Sequence, residues 1–297
     1  MKVTQVNALE KIANRIRFDL LQEIYYGKSG HPGGSLSCAD ILAVLYFNEM
    51  NIDPNKPRDA MRDRFVLSKG HASSALYAAL AERGFFPKEE LVSFRNIDGM
   101  LQGHPDMKKI PGVDMSTGSL GQGLSAANGM ALASKMDRMG YRVYCLVGDG
   151  EMEEGQIWEA AMTSAKYELD NLCLIVDCNE LQLTDKTEEV KGLSYEDIEQ
   201  KLRSFGFNTV IIDGHGIQSI MDAFSIAERT KRQPTAIIAR TVKGRGISFI
   251  EAEVKWHGKA LNDEEYKKGV SELSMLDKED EIFEALVEEK TKKGDEQ

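Results

Sequence analysis

At 297 residues with 42% hydrophobic content, the chain can bury a sizeable core as one large domain or two small ones. A formal net charge of −11 excludes a general nucleic-acid surface, which requires a basic face. No apolar run approaches the roughly 20 residues that span a bilayer, and the opening MKVTQVNALEKIANRIRFD lacks an apolar signal core, so a cytoplasmic protein without membrane contact is expected. Cys38, Cys145, Cys173 and Cys178 are scattered without CxxC spacing and read as reduced core residues.

In chain order, Val6, Leu9, Ile12, Ala13, Ile16 and Leu20 have the spacing of a buried helical stripe, and Ser37 to Met50 reads as a second helix. Leu124 to Lys135 is an Ala-rich helix. Arg142 to Val147 and Asn171 to Val176 are short, mostly apolar runs, and between them Trp158, Ala161, Met162 and Ala165 recur at helical spacing, which makes a βαβ unit. Thr209 to Ile212 and Thr235 to Ala239 are further strands, joined by a helix from Ile217 to Lys231. The pattern predicts an α/β domain whose mostly parallel sheet is covered by helices on both faces. It runs over residues 1–261; the charged segment 262–297 is expected to form exposed helices with a frayed end.

In parallel sheets, ligands gather where strands end and helices begin. One strand ends in Gly148-Asp149-Gly150 and the next in Asp177-Cys178-Asn179, so Asp149 and Asn179 should face one small volume although 30 positions separate them. A carboxylate, an amide oxygen and a nearby backbone carbonyl suit a hard divalent cation that also takes phosphate oxygens. Gly148 and Gly150 let the backbone approach those phosphates. GDG alone would be read as a turn after a strand; its pairing with NxLxL across one crossover favours the ligand site.

GDG followed by Asn after about thirty residues is the thiamine-diphosphate motif, and nearly the whole chain resembles the transketolase family. SGHPGGSLSCADILAVLYF from Ser29 resembles the family's first histidine motif, SKGHASSALYAAL from Ser68 its second, and LQGHPDMKKIPGVDMSTGSLGQG from Leu101 its third with the glycine-rich loop. The resemblance implies a thiamine-diphosphate-binding fold in which Asp149, Asn179 and the Leu181 carbonyl hold Mg2+, with Ca2+ or Mn2+ able to substitute. It implies that Leu120 and Leu183 sandwich the thiazolium ring, that Gly118 approaches the aminopyrimidine, and that Glu154 and Glu159 link the paired sites of a dimer. It places His71 and His257 near the diphosphate and His31 and His104 against the donor sugar, where imidazole can donate to phosphate or shuttle a hydroxyl proton.

In that family a second, pyrimidine-binding domain carries the glutamate that activates the cofactor, and no such domain is expected within these 297 residues. The resemblance therefore implies the N-terminal subunit of a split transketolase, moving a two-carbon ketol unit between sugar phosphates. Its partner would be a C-terminal subunit bearing the pyrimidine-binding and C-terminal domains, in an α2β2 assembly. A 1-deoxyxylulose-5-phosphate synthase-like enzyme, a ketol transferase of secondary metabolism and a non-catalytic cofactor-binding scaffold remain as alternatives. TGSLGQG and KGRG are not GxGxxG openings of a first-strand helix, and no GxxxxGK[ST] loop is present. Lys243 and Arg245 are equally compatible with phosphate binding and with solvated surface. Glu151, Glu153 and Glu154 do not have EF-hand spacing, and His215 reads as a loop residue at a strand end.

Overall fold

The computed structural model describes residues 2–276. Helix α1 (Lys2–Tyr26) buries Leu9, Ala13, Ile16, Leu20 and Ile24 at the expected spacing. The expected Ser37–Met50 helix is instead broken. Pro32 opens a short helix α2 (Pro32–Leu36), α3 follows (Ala39–Val44), and Leu45–Glu49 widens into a π turn.

Five parallel strands form one sheet in the order β1-β2-β3-β5-β4. They are β1 (Arg64–Leu67), β2 (Val143–Gly148), β3 (Leu172–Cys178), β4 (Asn208–Asp213) and β5 (Thr235–Arg240). The helices between them are α4 (Ser73–Arg83), α5 (Gly123–Met136), α6 (Gly155–Lys166), α7 (Thr187–Lys191), α8 (Tyr195–Ser204) and α9 (Ile217–Arg229). A reciprocal Ser194–Asp197 capping box starts α8.

Strand residues alternate between two cores. Phe65, Leu67, Tyr144, Leu146, Cys173, Ile175 and Ile237 pack with α1, α3, α4 and α9, whereas Val66, Cys145, Val147, Leu174, Val176 and Ile238 pack with α5, α6 and α8. Both faces are thus covered, as expected of a parallel sheet, and each fully buried aliphatic side chain contributes about 1.5–3 kcal/mol. All four cysteines are buried and unpaired. On α6 the buried face is Ile157, Ala160, Ala161 and Ser164, while Met162, part of the expected apolar stripe, is exposed.

Helix α10 (Asp263–Leu276) is less exposed than its charge suggested. Tyr266 stacks on Tyr25 of α1 at 4.1 Å, and Leu273 is fully buried. The charged run 277–297 lies outside the described residues. Among the described residues, no helix is long and apolar enough to cross a membrane.

Candidate active site

Strand register sets the site. Leu67 of β1 lies beside Leu146, Gly148 of β2 beside Asp177, and Cys178 of β3 beside Arg240 of β5, so Ser68–His71, Gly148–Gly150, Asn179–Thr184 and Thr241–Lys243 emerge at one edge of the sheet. Between them is a cavity of about 280 Å³. Its wall includes His71, Leu120, Gly148, Asp149, Gly150, Asn179, Leu181, Leu183 and His257, all singled out from the sequence. A larger cavity of about 570 Å³, around Arg62 and Asp114, contains none of them.

The Asp149 carboxylate accepts from Gly150 N at 2.8 Å and Glu180 N at 2.5 Å. Burial, reinforced by the charge of Asp177, pushes its pKa up to about 7. Asn179 Oδ1 accepts from Leu181 N at 3.3 Å, and the Leu181 carbonyl accepts from Lys243 Nζ at 2.6 Å. This donor set fits a hard cation: the carboxylate retains acceptor capacity, a bound cation would offset the Asp177 charge that helps raise its pKa, and the carbonyl already attracts an ammonium. Leu120 and Leu183, 37% and 66% exposed on the same wall, offer apolar surface for a ring to cover.

On the cavity wall, Lys69 donates to the buried Asp177 and, at 2.6 Å, to the Gly34 carbonyl. Asp177 also accepts from Ser37 Oγ at 2.6 Å, from Thr241 Oγ1 and from Asn179 Nδ2 at 3.2 Å. Burial works against both charges, yet their pairing wins, holding Asp177 below and Lys69 above the usual values. This pair ties the GHPGG segment to β1 and β3, and neither residue stands out in the sequence because their chemistry exists only as a contact across 108 positions.

Glu151, whose spacing fits no calcium loop, is a buried structural acceptor. It takes the Ser68 hydroxyl, Gly121 N at 2.8 Å and Gly148 N at 3.2 Å, and so fastens the glycine-rich loop to β2. That loop needs its glycines. At Gly118 (φ 135°) a Cβ would come within 2.6 Å of the His104 ring, and at Gly121 (φ 84°) within 2.7 Å of Glu154 Cβ.

The His31, His71 and His257 rings cluster with centroids 5.2–5.7 Å apart. Burial, followed by neighbouring cations, keeps all three uncharged at neutral pH, with His31 and His257 pushed down to about 4. Of the two basic residues that the sequence leaves open, Lys243 belongs to the site: 2% exposed, it lies 2.9 Å from His257 Nδ1, and burial lowers its pKa to about 8. Arg245, half exposed and 3.7 Å from Glu251, stays outside the cavity. His104 is exposed beside Gly118, and Glu154 and Glu159 are exposed at the start and on the flank of α6, off the cavity wall. His215 is more than a loop residue: its Nδ1 meets Asp40 at 2.7 Å and its Nε2 accepts from Val242 N at 2.8 Å, bracing the loop after β5.

A covered parallel sheet with an acid, an amide and a carbonyl beside buried lysines and neutral histidines is an architecture that suits an anionic cofactor at the strand ends. Residues 8–296 match the family described as "Transketolase, thiamine diphosphate binding domain", and the chain belongs to that family. It is 47% identical over 265 residues to the 6-deoxy-6-sulfo-D-fructose transketolase subunit SqwG of Clostridium sp. (strain MSTE9), covering 89% of this chain and 96% of that one. It is 41% identical over 270 residues to an apulose-4-phosphate transketolase subunit of Phocaeicola vulgatus, covering 91% and 95%. Transketolase from Leishmania mexicana superposes with a TM-score of 0.84 at 30% identity, covering 90% of this chain and 41% of that structure. The chain likewise spans 40% of human transketolase, at 47% identity over 260 residues and 86% of this chain.

Proposed function

We propose that the chain is the thiamine-diphosphate- and Mg2+-holding subunit of a split transketolase, catalysing reversible two-carbon ketol transfer from a ketose phosphate to an aldose phosphate. The observation that carries this reading is the convergence of Asp149, Asn179 and the Leu181 carbonyl on one cavity, in a chain nearly coextensive with two relatives named as transketolase subunits. Asp149, Asn179 and Leu181 would hold the metal, Gly118, Leu120 and Leu183 the cofactor's rings, and His71, His257, Lys243 and Gly150 its diphosphate. When bound, the cofactor supplies the carbanion that cleaves and re-forms the carbon–carbon bond. The chain's residues bind and orient: neutral His31 and His104 donate to sugar hydroxyls. Glu154 and Glu159 on the open flank of α6 would join a second copy, and a C-terminal subunit would complete an α2β2 cytoplasmic enzyme.

A second reading concerns the donor's tail. The relative named for a 6-deoxy-6-sulfo sugar favours testing a sulfonate beside a phosphate. The chain, loaded with thiamine diphosphate and Mg2+ and mixed with a C-terminal subunit, is assayed for ketol transfer from fructose 6-phosphate and from its 6-sulfo analogue. Activity is expected only with both subunits. Full activity of the chain alone overturns the split assembly, and no transfer from either donor overturns the transketolase reading.

A further inference from the structure

Arg95 lies on the loop after the short helical turn Lys88–Ser93 and has a left-handed backbone (φ 61°), held by its N–H donating to Leu101 O at 2.8 Å. This conformation is uncommon for a long side chain and places the guanidinium between two segments that are distant in sequence. Nη1 donates to Ser29 Oγ at 2.7 Å; Nη2 lies 3.4 Å from Gly103 O and 3.4 Å from His31 Nδ1. Gly103 leaves room for it, since a Cβ there would stand 3.0 Å from Arg95 Nε. One side chain thus joins the His31 segment to the His104 segment.

A guanidinium carries only donors and keeps its charge at every physiological pH. The nitrogen facing it must therefore present a lone pair, which leaves the ring proton on the other nitrogen. On that edge, a Cβ added to Gly258 would stand 3.5 Å from His31 Nε2, so the glycine keeps the edge open, and Nε2 has no hydrogen-bond partner among the described residues. We propose that Arg95 is a positioning residue that fixes His31 as the Nε2–H tautomer, making it a hydrogen-bond donor to a substrate oxygen and not a base. The proposal rests on the sugar-facing role read for His31 above. Arg95 and Lys243 add positive charge around the ring, and the uncharged His71 and His257 rings flank it, so a proton is not gained at Nδ1 either.

Long-range 1H–15N correlation spectra of the chain labelled with 15N-histidine, with the His31 signals identified by their loss in His31→Gln, read the tautomer directly. The wild-type chain is expected to show Nε2–H with a bare Nδ1, and Arg95→Met a mixture of both tautomers. An Nδ1–H wild-type ring overturns the proposal whether or not the variant folds, and so does an unchanged spectrum in a folded Arg95→Met. In the assembled enzyme, Arg95→Met is expected to lower kcat/KM for the donor roughly 10- to 100-fold, the scale of a misplaced group, with cofactor affinity retained. The spectrum needs no substrate. If the tautomer shifts while transfer is unchanged, Arg95 keeps its assignment and the sugar-facing reading of His31 falls.

Discussion

Around the cavity, the polar groups grow directly from strand ends: Asp149 one residue beyond β2, Asn179 one beyond β3, and Asp177 within β3. In the second region, proposed to face the sugar, His31, Arg95 and His104 sit on loops, and His104 is exposed. The first region is therefore fixed by the same hydrogen bonds that make the sheet, so a change there is felt by the fold. The second is held by side-chain contacts to Ser29, Gly103 and Gly118, so a change there should reach turnover before it reaches stability.

The sharpest test is the buried ion pair. Lys69→Met leaves Asp177 charged and unpaired and should cost about 3–5 kcal/mol in urea unfolding at pH 7. The sign with pH follows from the shifts. Asp177, held below its usual value, contributes stability that is present above about pH 4 and lost on acidification through its folded value; Lys69, held above its own, contributes stability lost only at high pH. In Lys69→Met the deficit should narrow below neutrality as Asp177 takes up a proton; a deficit that stays constant from pH 7 to 5 breaks the pairing argument. Next in size, Asp149→Ala should weaken thiamine diphosphate and Mg2+ together by more than about 100-fold in calorimetry, beyond what outer-shell changes cost. Normal cofactor uptake by that variant would remove Asp149 from the metal site. The smallest effect belongs to the loop end: His104→Ala should leave cofactor binding and unfolding unchanged and reduce kcat/KM about tenfold, the scale of one hydrogen bond. A shifted unfolding midpoint would erase the contrast between the two regions.

What can be read from the sequence follows the same division. Strands β2 to β5 are bounded to within two residues because each is an apolar run closed by polar or turn residues. Strand β1 escapes detection: four residues starting at Arg64, just ahead of a histidine motif, have no period to find. On α6 the expected stripe is only partly right, because Ser164 belongs to the buried face and spacing arguments pass over a serine. Asp149, Asn179, His31 and His71 are legible because motif spacing carries them. Lys69, Asp177, Glu151 and Arg95 are not, since each acts through a partner that only the fold supplies.

The late position of β2 in the chain has a kinetic side. Asp63, just ahead of β1, accepts from Arg142 N across 79 positions, whereas Val143 of β2 meets Leu172 of β3 across a single helix. Closing the longer loop costs more chain entropy before any contact repays it. On that account alone, β1 is the costlier strand to dock, and the Lys69 and His71 that follow it come into place only once the far longer detour has closed.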